Sequence, residues 1–176
     1  MVKDSKNQVY QFKITLLEIT PQIWRRIQVP ATYTLSKLHV AIQNAMGWGN
    51  CHLYQFFLSY GEKIPENNLV CDIFCLNKAD SLKANKITYE YDFGDSWMHE
   101  VLLEKISTAK SGVKYPVCLE GKRACPPEDC GGTPGYLNLI DVMKNPRHKD
   151  YRHMLEWLGS KFYPEKFDPK DVCLDE

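Results

Sequence analysis

The segment Ile87–Glu104, ITYEYDFGDSWMHEVLLE, carries five carboxylates and one histidine and contains no Lys or Arg. Carboxylates crowded on one small surface repel unless a counter-charge sits among them, and a cation or one of Arg25, Arg26 and Arg123 could supply it. Gly94-Asp95 fits a two-residue hairpin loop, with Gly at the position where a type II′ turn needs φ > 0. That register pairs Asp92 with Trp97 and Glu90 with His99. It places Glu90, Asp92, Trp97 and His99 on one face and Tyr89, Tyr91 and Met98 on the other. A carboxylate facing an imidazole can be a base, a metal ligand or a structural pair. Glu90, Asp92, Asp95 and His99 are therefore the candidate catalytic residues, with Glu90 as base.

Two further acids, Glu128 and Asp129, lie in ACPPEDCGGTPGY between Pro126-Pro127 and Gly131-Gly132, residues that fix a turn geometry. Hard divalent cations take oxygen ligands. The metal expectation is thus Mg²⁺ or Mn²⁺ held by Asp92, His99, Glu128 and Asp129, with the hairpin and this loop bordering one depression. The plainer alternative is that the two acids cap backbone amides near the helix start at Thr133. A weaker zinc expectation rests on Cys118, Cys125 and Cys130, with His52, His99, Cys71 or Cys75 as a fourth ligand. The spacing lacks the paired CxxC knuckles of zinc sites, and a free cysteine is commonly a small buried hydrophobe.

Other catalytic signatures are absent. Asp92-Phe93-Gly94 matches the kinase magnesium tripeptide without the glycine-rich loop or catalytic loop that reading requires. No phosphate-binding glycine motif occurs, and His99-Glu100 has no second histidine at zinc-protease spacing.

The elements that must position these residues follow from periodicity. Phe12, Ile14 and Leu16 alternate on a strand that turns near Thr20-Pro21, and Ile23, Ile27 and Val29 alternate on its return. Thr34 caps a helix bearing Leu35, Leu38, Ile42, Ala45 and Met46 on one stripe, closed by Gly47. An aromatic strand spans 52–60, 65–86 is polar and loop-rich, and 107–134 reads as irregular. Two helices follow, one started by Thr133-Pro134 and one ended by Gly159, with a short helical turn after Asp168. Hairpin, amphipathic helix and further strands is the order of the β-grasp. The expected fold is α+β, a mixed sheet wrapping one helix with two additional C-terminal helices, in a single domain over 1–176.

With 44% hydrophobic and 12% aromatic residues, 176 residues suffice for one core. Lys+Arg and Asp+Glu are both 22, so no overall field draws the chain to nucleic acid or an anionic membrane. Trp24, Arg26 and Gln28 share a strand face that could contact single-stranded nucleic acid, but cation–π packing is the simpler reading. His39 reads as a satisfied histidine at the core edge, and Trp48 and Trp157 as core anchors. Seven cysteines, an odd number, and no apolar leader or membrane-span stretch point to a cytoplasmic protein with reduced thiols.

The segments PQIWRRIQVPATYTLSKLHVAIQNAMGW, HLYQFF, YDFGDSWMHEVLLE, YPVCLEGKRACPPEDCGGTPGY and EWLGSKFYPEKFD, in this order, resemble the plasmid pRiA4b ORF-three-like family. Its members occur on plasmids, beside mobile elements and as ordinary prokaryotic chromosomal genes. The resemblance implies a domain without an assigned biochemical role. Some relatives carry a resolvase-type label from their transposon neighbourhood, but recombination needs a nucleophilic Ser or Tyr among clustered arginines, and none is visible. Two functions follow as expectations. One is a non-catalytic module binding a protein or nucleic acid, and the other is a metal-dependent hydrolase or nuclease.

Overall fold

The computed structural model describes residues 7–58, 61–74 and 84–174. Strands β1 (Gln8–Leu16), β2 (Trp24–Pro30), β3 (Tyr54–Phe57), β4 (Lys63–Ile64), β5 (Lys86–Tyr91), β6 (Trp97–Thr108) and β7 (Val117–Lys122) form one sheet in the order β4-β3-β5-β6-β1-β2-β7. Every strand pair in it is antiparallel, where a mixed sheet was expected. Among the described residues, parallel pairing is confined to an isolated bridge between Phe74 and Ala84. The helices are α1 (Leu35–Met46), the single turn α2 (Val70–Ile73), α3 (Gly132–Lys144) and α4 (Tyr151–Leu158), and a 3-10 turn covers Pro169–Asp171. The fold is α+β, and the two C-terminal helices are present. No described helix is long and apolar enough to cross a membrane.

Helix α1 carries the core. The Thr34 side chain accepts from the Lys37 N–H, and Gly47 ends the helix at φ 92°, its N–H donating to the Gln43 carbonyl. Leu35, Leu38 and Ile42 are fully buried, in one cluster with Phe12, Ile14, Ile27, Tyr89 and Val101 from the sheet. Replacing Leu38 by Ala should cost about 2–5 kcal/mol, as emptying such a site does elsewhere, and urea unfolding at pH 7 would measure it.

Strand β7 lies where the sequence reads as irregular. Its side chains are polar or half exposed, and it is a strand because β2 pairs with it across a bulge between Arg26 and Ile27. On the outer sheet face Arg26 grips Glu104 through Nε and Nη2, at 2.7 and 2.9 Å, contacts Glu120 through Nη1, and lies over the Trp24 ring. The Arg26 hydrogen bonds hold the Glu104 carboxyl below its usual range. Arg26 is therefore committed to ion pairing with Glu104 and cation–π packing on Trp24. Trp48 is buried, but Trp157 is 45% exposed and is not a core anchor.

Candidate functional site

The β5–β6 hairpin does not use the two-residue loop. Tyr91 pairs with Trp97, Glu90 with Met98 and Tyr89 with His99, one residue off the expected register. Residues 92–96 form the connection, closed by the Ser96 N–H on the Asp92 carbonyl, and positive φ falls on Asp92 (56°) and Ser96 (52°) rather than on Gly94. The Asp92 side chain accepts from the Gly94 N–H at 2.9 Å, the local bond that lets Asp occupy this conformation. A one-residue slip exchanges the two faces. His99 thus points into the core with Tyr89, Tyr91 and Trp97 and has no exposed surface. It packs edge-on to Trp48 and near Tyr89, so it does not join the acidic cluster. Glu90 takes the other face, where Gln55 and Ser96 donate to it.

The histidine at the cluster is His52. Tyr54 of β3 pairs with Tyr91 of β5, and the Asp92 N–H donates to the Leu53 carbonyl, which draws His52 to the hairpin tip. Asp92 Oδ1 lies 3.8 Å from His52 Nδ1, while Asp129 Oδ1 lies 3.3 Å and Glu128 Oε2 3.9 Å from His52 Nε2. Ligand-capable atoms of His52, Asp92 and Asp129 all fall within 4.8 Å of one another. Among the described residues, Cys118, Cys125 and Cys130 form no such group. Burial keeps those thiols protonated, pushing Cys130 up to about 12. Cys75 lies outside the described residues.

Side chains catch three successive amides before His52. Glu128 Oε1 accepts from the Gly49 N–H at 2.8 Å, Gln43 Oε1 from the Asn50 N–H at 3.2 Å, and the Tyr91 hydroxyl from the Cys51 N–H at 3.1 Å. Tyr91 donates in turn to Glu128 Oε1 at 3.0 Å. One oxygen of Glu128 is thereby fixed while Oε2 is left buried without a hydrogen-bond partner, as is His52 Nε2. Orphaned buried polar atoms are uncommon, and a site for an ion or water is one explanation for them.

Behind this loop, His39 is 2% exposed and stacks on Tyr54 at 3.5 Å. Its Nε2–H donates to Asn50 Oδ1 at 2.6 Å, and the Tyr89 hydroxyl donates to its Nδ1 at 2.7 Å. His39 is a satisfied structural histidine. Burial lowers both His39 and His99 to about 4 from the ordinary 6.5. The unfolded chain takes up protons on these histidines between pH 6.5 and about 4 while the folded chain does not. The folding free energy should therefore shrink as pH falls through that window and be fully present above it. Denaturant midpoints at pH 7, 6, 5 and 4.5 would check this, and a flat profile would contradict it.

Asp95 holds the two loops together. Its Oδ2 accepts the Gly131 N–H at 3.1 Å, at the start of α3, where a carboxylate also suits the helix dipole. The helix is capped by Gly131, two residues before the expected Thr133 cap, and begins at Gly132. Among the described residues, none of the three arginines bonds to the cluster. Arg25 donates to the carbonyls of Ala45, Trp24 and Lys122, Arg26 binds Glu104 and Glu120, and Arg123 binds Glu165 and the Pro21 carbonyl.

Residues 8–171 match the family described as plasmid pRiA4b ORF-3-like protein. The chain belongs to this family. The chain is 36% identical over 162 residues to the uncharacterised protein y4hQ of Sinorhizobium fredii, covering 88% of this chain and 83% of that protein. A crystal structure of a protein of unknown function, MM3350 from Methanosarcina mazei Go1, is 42% identical with a TM-score of 0.86, covering 95% of this chain and 98% of that one. The solved pRiA4b ORF-3-like relative thus shares the fold, and neither relative brings a reaction with it.

Proposed function

We propose that this pRiA4b ORF-3-like protein is a divalent-cation-binding interaction module built on its antiparallel sheet and the helix α1 packed against it. In this reading His52, Asp92 and Asp129 ligate the cation and Glu128 stands beside it. The observation that carries it is the convergence of an imidazole and two carboxylates within 4.8 Å, with Glu128 Oε2 left unpartnered next to them. An imidazole among carboxylates suits Mn²⁺ or Zn²⁺ better than Mg²⁺. Asp129 is 71% exposed, so the cation would keep positions open to an oxygen donor on a protein or nucleic-acid partner. His99, Glu90 and Asp95 have no ligand role here.

Metal-dependent hydrolysis is the second reading. Glu128, held through Oε1 with Oε2 free, is arranged as a base for a cation-bound water would be. Calorimetric titration of chelator-stripped protein with Mn²⁺, Zn²⁺ and Mg²⁺ tests the cation centre. One site lost in His52→Ala supports it, and no binding up to about 1 mM rejects it. Release of nitrophenol from phosphate mono- and diesters with Mn²⁺, abolished in Glu128→Gln, would select hydrolysis.

A further inference from the structure

Away from the His52 cluster, a cleft of about 700 Å³ opens between the start of edge strand β7 and the C-terminal segment that follows α4. Its walls come from three distant parts of the chain: Tyr33 before α1, Lys114 and Tyr115 before β7, and Lys170, Asp171 and Cys173 at the C-terminal end. Lys37 adds a third ammonium close by, over the Tyr33 ring at 5.3 Å. The volume falls in the range of sites for small organic ligands, about 300–1,000 Å³, and exceeds what an inorganic anion would fill.

We infer that this cleft binds a nucleoside monophosphate or a phosphate ester of similar size. Lysine ammonium groups are point-charge partners for phosphate oxygens, and two of them line the cleft. Half-buried Tyr115 supplies surface for a planar ring while buried Tyr33 backs the cleft, and Asp171, the one carboxylate among the described lining residues, is an acceptor for a ligand amine or hydroxyl. This pattern of charge is the reverse of that at the His52 cluster, where carboxylates dominate. The cleft is set by the fold: Leu174 is buried and anchors the end of the C-terminal segment, and the Tyr115 hydroxyl accepts from the Lys110 N–H.

The test is titration of the full chain with AMP and GMP, with EDTA present throughout so that no cation centre can contribute. Binding in the range of about 1 µM–1 mM is expected, weakened at least about tenfold in Lys170→Glu and unchanged in His52→Ala. Lys170 is exposed, so the variant should fold, and Lys170→Gln provides a milder version. A second readout needs no variant: AMP should slow iodoacetamide labelling of Cys173, which lines the cleft, and leave labelling of exposed Cys51 unchanged. No binding by either nucleotide would overturn the proposal. So would binding insensitive to Lys170→Glu, or inorganic phosphate binding as tightly as AMP.

Discussion

Mn²⁺ should raise the melting temperature of the native chain and do nothing to Asp92→Asn. A ligand at one hundred times its dissociation constant adds about 2.7 kcal/mol to folding. In a chain of 176 residues that corresponds to a shift of several degrees. Asp92→Asn is a clean variant on structural grounds. Asparagine tolerates the left-handed backbone found at φ 56°, and its amide oxygen can still accept the Gly94 N–H. What it removes is one negative charge facing His52, Glu128 and Asp129. Without cation the variant should be as stable as the native chain or more so, because repulsion among the carboxylates is relieved. The opposite sign, a cation-free variant that is less stable while Mn²⁺ leaves both proteins unmoved, would mean that the imidazole itself balances the acids. It would defeat the cation centre.

Much of the scaffold was legible because periodicity reports burial directly. The α1 stripe and the first hairpin follow from apolar spacing, and the two C-terminal helices from that spacing together with Thr133-Pro134 and Gly159. The turn preference of Gly94-Asp95 points to a register for the acidic hairpin that the fold does not adopt. The aromatic alternation gives the other answer: Ile87, Tyr89 and Tyr91 on one strand and Trp97, His99, Val101 and Leu103 on the next are all buried. Making that set the inward face requires Tyr91 opposite Trp97, and a connection of five residues follows. His52 was harder to place, since its position depends on β3 pairing with β5 across a long sequence separation. Strand β7 had no apolar alternation to show, since Val117, Cys118 and Leu119 are consecutive and none is buried, and an edge strand of this kind is specified by its partner.

The meeting of the hairpin loop and the Glu128–Asp129 loop depends on Gly132, and Gly132→Ala should break it. A Cβ built there would lie 2.6 Å from the Asp95 carbonyl oxygen, and the residue sits at φ +64°. The obstacle is backbone, so no side-chain rotation relieves it. The left-handed conformation costs an alanine about 1–2 kcal/mol, and forced displacement of packed groups adds about 1–3 kcal/mol. A loss of roughly 2–5 kcal/mol is expected, measurable by urea unfolding. The displacement must also stretch the bond from the Gly131 N–H to Asp95, which ties the start of α3 to the hairpin. Asp92 and Asp129 stand on opposite sides of that joint. Cation affinity should therefore fall further than in a variant of equal destabilisation made in the distant core, and Leu38→Ala is the matched control. Equal affinities in the two variants would show that the loops need no fixed spacing, and the cluster would then lose its claim to be a preorganised centre.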